Sequence, residues 1–166
     1  MPLLRETGEA VADAWTILPD DRPVPAGGAV VVSLKRWREE RETLAGRDAP
    51  LGVLLPSGAL ASDVAPDLQR LGLIALDFPK FRDGRGFTVA RELRERFGYT
   101  GEIRATGHVI ADQFPLLVRC GVSTVQVPDT AKLDQWQAAL GTLTIAYQKA
   151  VAGEELPLSL RRFKVA

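Results

Sequence analysis

The sequence predicts an α/β fold of about five strand–helix units around a mostly parallel sheet, either open and doubly wound or curled like part of a barrel. Two observations carry this. From residue 29 onward, short apolar runs alternate with amphipathic stretches of helical period, the pattern of repeated βα units. The first three runs are also almost uninterrupted in their apolar character, as strands covered on both faces should be. At 166 residues the chain has the length of one domain and needs no staple to fold. Right-handed crossovers apply to both architectures, so the sequence leaves the choice between them open.

In chain order, residues 1–28 form an arm or hairpin packed on the domain. Pro19, Pro23, Pro25 and the pair Gly27-Gly28 punctuate this segment, Asp20-Asp21 marks a turn, and residues 11–18 around Trp15 suit a strand or a small hairpin. The α/β domain occupies residues 29–152. Its runs are Ala29-Val-Val-Val-Ser-Leu34, Leu51-Gly-Val-Leu-Leu55, Leu73-Ile-Ala-Leu76, Glu102-Ile-Arg-Ala105 and Val122-Ser-Thr-Val-Gln-Val127. The last two alternate polar and apolar residues, which predicts edge strands or strands with one exposed face.

The helices follow from spacing and caps. Residues 35–42 are charged at every position except Trp37, a solvated helix anchored by Trp37 and Leu44. Pro66 and Pro115 each stand three residues after an aspartate. With Asp63 and Asp112 as caps, each proline falls in a first turn, where its missing N–H costs no internal hydrogen bond. Val64, Leu68 and Leu71 then face the core in one helix, and Phe114, Leu117 and Val118 in the other. Phe87, Ala90, Leu93 and Phe97 make a helix closed by Gly98. The steps between Leu133, Trp136, Leu140, Leu143, Tyr147 and Val151 predict a long carboxy-terminal helix capped at Asp129 or Thr130. Residues 153–166 are a tail with Leu156, Leu158, Leu160 and Phe163 among basic groups.

Composition bounds the function. Lys plus Arg and Asp plus Glu total 21 each, a formal net charge of +0, so no global field recruits nucleic acid or an anionic membrane. Cys120 is the single cysteine and His108 the single histidine. An internal disulfide, a cysteine-held iron–sulfur cluster and a histidine-rich metal site are therefore excluded, and neither metal nor cofactor is expected. The first ten residues lack a basic stretch followed by an apolar one, and no apolar run approaches membrane-spanning length, so the expected location is the cytoplasm.

Chemistry concentrates after the third run, at Asp77-Phe-Pro-Lys-Phe-Arg-Asp-Gly-Arg-Gly86. In wound α/β proteins the carboxyl ends of strands are where ligand sites collect. Lys80, Arg82 and Arg85, beside the N–H groups of Gly84 and Gly86 at a helix start, suit a sulfate, phosphate or carboxylate. Asp77 and Asp83 are candidates to orient those cations or to act as a base. The competing reading is an Asp–Arg network that only pins a tight turn. A second group, Arg104, Thr106, Gly107, His108, Asp112 and Gln113, follows the fourth run and is expected on the same rim. His108 is a candidate acid or base at neutral pH, although a lone histidine beside a glycine is more often structural. Cys120 near a helix carboxyl end favours inert packing over a reactive thiolate. No nucleotide-binding glycine fingerprint is present.

The stretch 73–87, followed by Ala90-Arg-Glu-Leu-Arg94, Gly98-Tyr99, Gly101-Glu102, Arg104-Ala105, Gly107, Asp112-Gln113 and Arg119-Cys-Gly121, resembles the bacterial family known as domain of unknown function 934. Leu34-Lys-Arg-Trp37 matches it more loosely. The resemblance implies context rather than mechanism. Members are typically encoded beside sulfite reductase in sulfate-assimilation clusters and have been labelled oxidoreductases without an established activity. The family pattern has Asp or Asn where this chain has His108, which argues against catalysis by the histidine.

Two readings follow. The first is an accessory protein of assimilatory sulfite reduction, a partner of sulfite reductase or of its electron donor. The second is a small enzyme acting on an anion such as sulfite, sulfate or phosphate at residues 77–86. A nicotinamide or flavin enzyme would need the phosphate-binding fingerprint that is missing. A homodimer is compatible with either.

Overall fold

The computed structural model describes residues 1–142 and 150–151. Eight strands form one sheet: β1 (Leu3–Arg5), β2 (Ala10–Val11), β3 (Trp15–Ile17), β4 (Ala29–Ser33), β5 (Leu51–Leu55), β6 (Leu73–Phe78), β7 (Glu102–Gly107) and β8 (Thr124–Gln126). Their order is β2-β1-β8-β7-β6-β5-β4-β3. Pairing is parallel from β3 through β8, and β1 runs antiparallel to both β8 and β2. The α/β class and the mostly parallel sheet are those the sequence predicts. Of the two architectures left open, the sheet is the barrel-like one. Sequential strands are neighbours from β3 to β8, so the winding never reverses and the crossovers stay on one face.

Chain length explains the curl. Residues 12–14 join β2 to β3, the two opposite edges of the sheet. That path is four Cα steps, a reach of at most about 15 Å. Eight flat strands would hold their edges about 33 Å apart. The sheet therefore bends into a half-barrel whose edges approach each other.

The outer face carries the main core, where Val32, Val53, Ile74, Leu76 and Ile103 pack against Trp37, Leu93, Phe114, Leu117 and Trp136. The inner face holds a smaller apolar cluster of Val31, Leu73 and Ala75 with Trp15 and Leu54 against it. Beside it lies a polar cluster centred on Arg104. The expected edge positions of the last two runs are corrected here. β7 lies inside the sheet between β6 and β8, and β8 is covered by β1. Their polar alternation is real, but its polar face looks inward, where Glu102, Arg104 and Thr124 satisfy one another.

Five α-helices are described: α1 (Leu34–Glu39), α2 (Arg41–Ala45), α3 (Arg85–Glu95), α4 (Phe114–Arg119) and α5 (Leu133–Leu140). Ser33 caps α1 by accepting the Arg36 N–H at 3.1 Å. Trp37 and Leu44 anchor this region as expected, yet Arg36 is buried too, donating to Glu40 and to the Pro19 and Arg22 carbonyls of the amino-terminal segment. The predicted caps at Asp63 and Asp112 differ. A 3-10 helix begins at Ala61, and Asp63 reaches back to accept the Leu60 N–H at 2.9 Å. Another begins at Ala111, and Gln113 does the same for Ile110 at 3.2 Å, while Asp112 is exposed. In both places the third residue of the turn satisfies the free N–H, so the cap lies three residues earlier in the first, at Leu60, and two in the second, at Ile110. Helix α5 begins at Leu133, and Asp129 pairs instead with the amino-terminal ammonium at 2.9 Å. Leu143, Tyr147 and the tail 153–166 lie outside the described residues.

Candidate functional site

Strand β6 ends in Asp77 and Phe78, and residues 79–84 carry the chain to α3. The turn is built on the Phe78 ring. A Cβ on Gly86 would stand 2.5 Å from that ring, so only glycine lets the first turn of α3 rest there. Phe87 then meets Phe78 edge-on, with centroids 5.6 Å apart. Gly84, by contrast, faces open space. The glycine freedom expected to admit a ligand is thus spent, at Gly86, on packing.

The charges of the loop divide into two sets. Asp83 is engaged from both sides: Arg85 donates to it from Nε at 2.9 Å and Nη2 at 2.7 Å, and the Ser57 hydroxyl hydrogen-bonds to it. These donors, the guanidinium first and the hydroxyl second, hold the Asp83 carboxyl well below the usual carboxylate range. Lys80 and Arg82 are different. Both are exposed, with no ion-pair partner among the described residues, and the Arg82 guanidinium lies 5.5 Å from the Phe81 ring centre. Phe81 itself is 40% exposed.

Asp77 lies at the base of the loop on the inner side of the strand end. Gly107, with φ +89°, makes room for it: a Cβ there would stand 2.8 Å from the Asp77 Oδ1 and 2.6 Å from the Phe78 carbonyl oxygen. No described residue donates a hydrogen bond to this carboxylate, and burial first, then the charge of Asp83, push its pKa up. Asp77, Ser57, Gly58, Arg85 and Gly86 share a crevice of about 10 Å³, room for roughly one water. Open cavities of about 400 and 440 Å³ lie on the other side, around Arg70, where β5 and β6 begin and where α2 meets the turn before β6.

The second predicted group splits. His108 and Gln113 do face the loop. The His108 N–H donates to the Phe78 carbonyl at 2.6 Å, and its exposed ring meets Phe81 edge-on at 5.7 Å between centroids. Gln113 Nε2 donates to the Phe81 carbonyl at 2.7 Å. Arg104 is not on the rim. It is buried on the inner face, where Nε and Nη2 donate to Glu102 at 3.0 and 2.8 Å and Nη1 donates to Asp13 at 2.8 Å. Thr106 is buried there as well, its hydroxyl bonded to the Leu76 carbonyl at 3.2 Å. Cys120 is half-buried at the end of α4, and burial pushes its thiol pKa up, against a thiolate. Among the described residues no group of three or more metal-ligating side chains comes together, and no helix is long and apolar enough to cross a membrane.

Sequence reading overlooked Ser57. Its local signal is Pro56-Ser-Gly58 directly after an apolar run, a turn signal at a strand end that only the fold brings to Asp83. The consequence is a stitched rim: Ser57 ties the loop after β5 to the loop after β6, and Gln113 ties the loop after β7 to it from the other side.

A family model described as a bacterial protein of unknown function, DUF934, matches residues 52–158, which include all three stitched loops. No curated protein and no solved structure matches the chain.

Proposed function

The chain belongs to the bacterial DUF934 family, and from that premise we propose that it is a cytoplasmic accessory protein of assimilatory sulfite reduction that works by docking on sulfite reductase. The supporting observation is the rim loop itself. Its backbone is braced by Ser57, Gln113 and the Asp83–Arg85 pair, while Lys80, Phe81 and Arg82 project outward. A rigid loop presenting an aromatic ring between two cations is the composition of a protein contact, because it loses little freedom on binding and offers both apolar area and charge. The partner's identity comes from the gene neighbourhood that the family resemblance implies.

Purified chain and sulfite reductase mixed in a titration calorimeter should give saturable heat. Absence of binding at micromolar concentrations in low salt overturns this reading.

One observation favours a second reading, chemistry on a small anion. Asp77 is a partly buried carboxylate, without a donor among the described residues, at the carboxyl end of a central strand. Its crevice has room for about one water, which is small even for sulfite. Calorimetry with sulfite, sulfate and phosphate tests it. Binding by the unmodified protein that is lost on changing Arg82 and Arg85 to Ala would support this reading, and no heat with any of the three anions would end it.

A further inference from the structure

Five large hydrophobic side chains are exposed among the described residues: Met1, Ile17, Leu60, Phe81 and Leu116. Three of them fall in the crossovers that leave β5, β6 and β7 in succession. Leu60 follows β5, Phe81 follows β6, and Leu116 lies in the first turns of α4 after β7. Successive parallel strands are about 4.8 Å apart, so these crossovers start side by side on one rim. The hydrogen bonds already described tie them together. Ser57, three residues before Leu60, holds Asp83, and Gln113, three residues before Leu116, holds the Phe81 carbonyl. The turn that begins after Leu60 also packs against α3, the helix the Phe81 loop leads into. Leu60 and Leu116 are 59% and 47% exposed, values that isolated leucines show on any surface. Their meaning here comes from placement, one on each side of Phe81, on loops that are mutually pinned.

We infer that Leu60, Phe81 and Leu116, with Lys80 and Arg82, form a single interaction surface that takes an acidic-rimmed apolar patch on a partner protein. The inference rests on the docking reading and says which face docks and what it meets. The charge argument selects the occupant. Lys80 and Arg82 have no ion-pair partner among the described residues, whereas Asp83 and Arg85 neutralise each other beside them. The cations at the surface therefore ask for carboxylates on the other side. The chain's own residues 154–166 have leucines and a phenylalanine, but Arg161, Arg162 and Lys164 outnumber Glu154 and Glu155, and all three cations lie among the apolar residues that would have to enter the rim. A nucleic acid would satisfy two cations but offers no apolar complement to three separate hydrophobic side chains, and the chain as a whole has a net charge of +0.

Binding of purified sulfite reductase by the full chain, followed by surface plasmon resonance across a salt series, tests this. Phe81→Ala should weaken binding about tenfold or more, and Leu60→Ala combined with Leu116→Ala by a similar factor. The double reversal Lys80→Glu with Arg82→Glu should slow association by about tenfold at low salt and flatten the salt dependence. All these side chains are exposed, so thermal unfolding of each variant should match the parent, and any variant that does not match is replaced by Phe81→Ser or by the single charge reversals. If the parent binds and the apolar and charge variants bind equally well, docking lies elsewhere and the inference fails while the docking reading stands. If the parent does not bind, both fail. Binding that disappears on nuclease treatment of the reductase overturns the choice of a protein surface.

Discussion

Replacing Glu102 by Ala should be the most damaging single change available on the inner face of the half-barrel. Arg104 is buried there with its side chain 2% exposed, and two of its three side-chain hydrogen bonds, at 3.0 and 2.8 Å, go to the same Glu102 oxygen. The Thr124 hydroxyl donates to that oxygen as well, at 2.5 Å. The substitution therefore leaves a buried guanidinium with one carboxylate, Asp13, and strands a buried hydroxyl. Breaking one side of a buried ion pair costs about 3–5 kcal/mol, a large part of the 5–15 kcal/mol that holds a typical domain together. Asp13→Ala should cost less, about 1–2 kcal/mol, because Asp13 accepts only one of the three Arg104 hydrogen bonds, whereas Glu102 accepts two and the Thr124 hydroxyl as well. Urea unfolding followed by circular dichroism measures both. With an m value near 2 kcal/mol/M, Glu102→Ala should lower the midpoint by about 2 M. The double change Glu102→Leu with Arg104→Met should recover most of the loss, since an apolar pair removes the uncompensated charge. A cost for Glu102→Ala below about 1 kcal/mol, or one no larger than for Asp13→Ala, would refute the assignment of Arg104 to a closed interior.

The remaining predictions concern the rim. Gly86→Ala should destabilise by about 1–3 kcal/mol in the same assay, because its Cβ would stand 2.5 Å from the buried Phe78 ring, whereas Gly84→Ala, with nothing within 4 Å, should change stability by no more than about 0.5 kcal/mol. Equal effects would show that the turn is not built on Phe78. The Asp77 carboxyl has its pKa raised from 3.8 in the folded state. The folded protein thus holds that proton more tightly than the unfolded chain, and this group's contribution to stability falls as pH rises from about 3.8 through the folded midpoint. Asp77→Asn should accordingly raise the melting temperature at pH 7, by the equivalent of no more than about 0.5 kcal/mol given solvent screening, and lose that advantage near pH 3. An unchanged or larger advantage at low pH would reject the unpaired carboxylate.

The amino-acid sequence by itself determined the α/β class, the positions of five of the six parallel strands, the core face of α3, and the family signature of residues 73–87. These rest on local quantities: hydrophobic period, run length, turn residues and spacing. The charged loop was legible for the same reason, and so was the placing of Gln113 on the same rim, although its bond to the Phe81 carbonyl was not. Tertiary structure alone decided the rest. The polar alternation of β7 reads as solvent exposure until its partner is known, and that partner, Asp13, stands 91 positions from Arg104. Ser57 is unremarkable in the sequence and joins the rim only where it meets Asp83, 26 positions on. Curvature depends on the three residues that join the two sheet edges, a constraint that exists only once the strand order does. A local pattern can state that a residue is polar, but whether it faces water, a buried partner or another protein is set by which distant segments fold beside it.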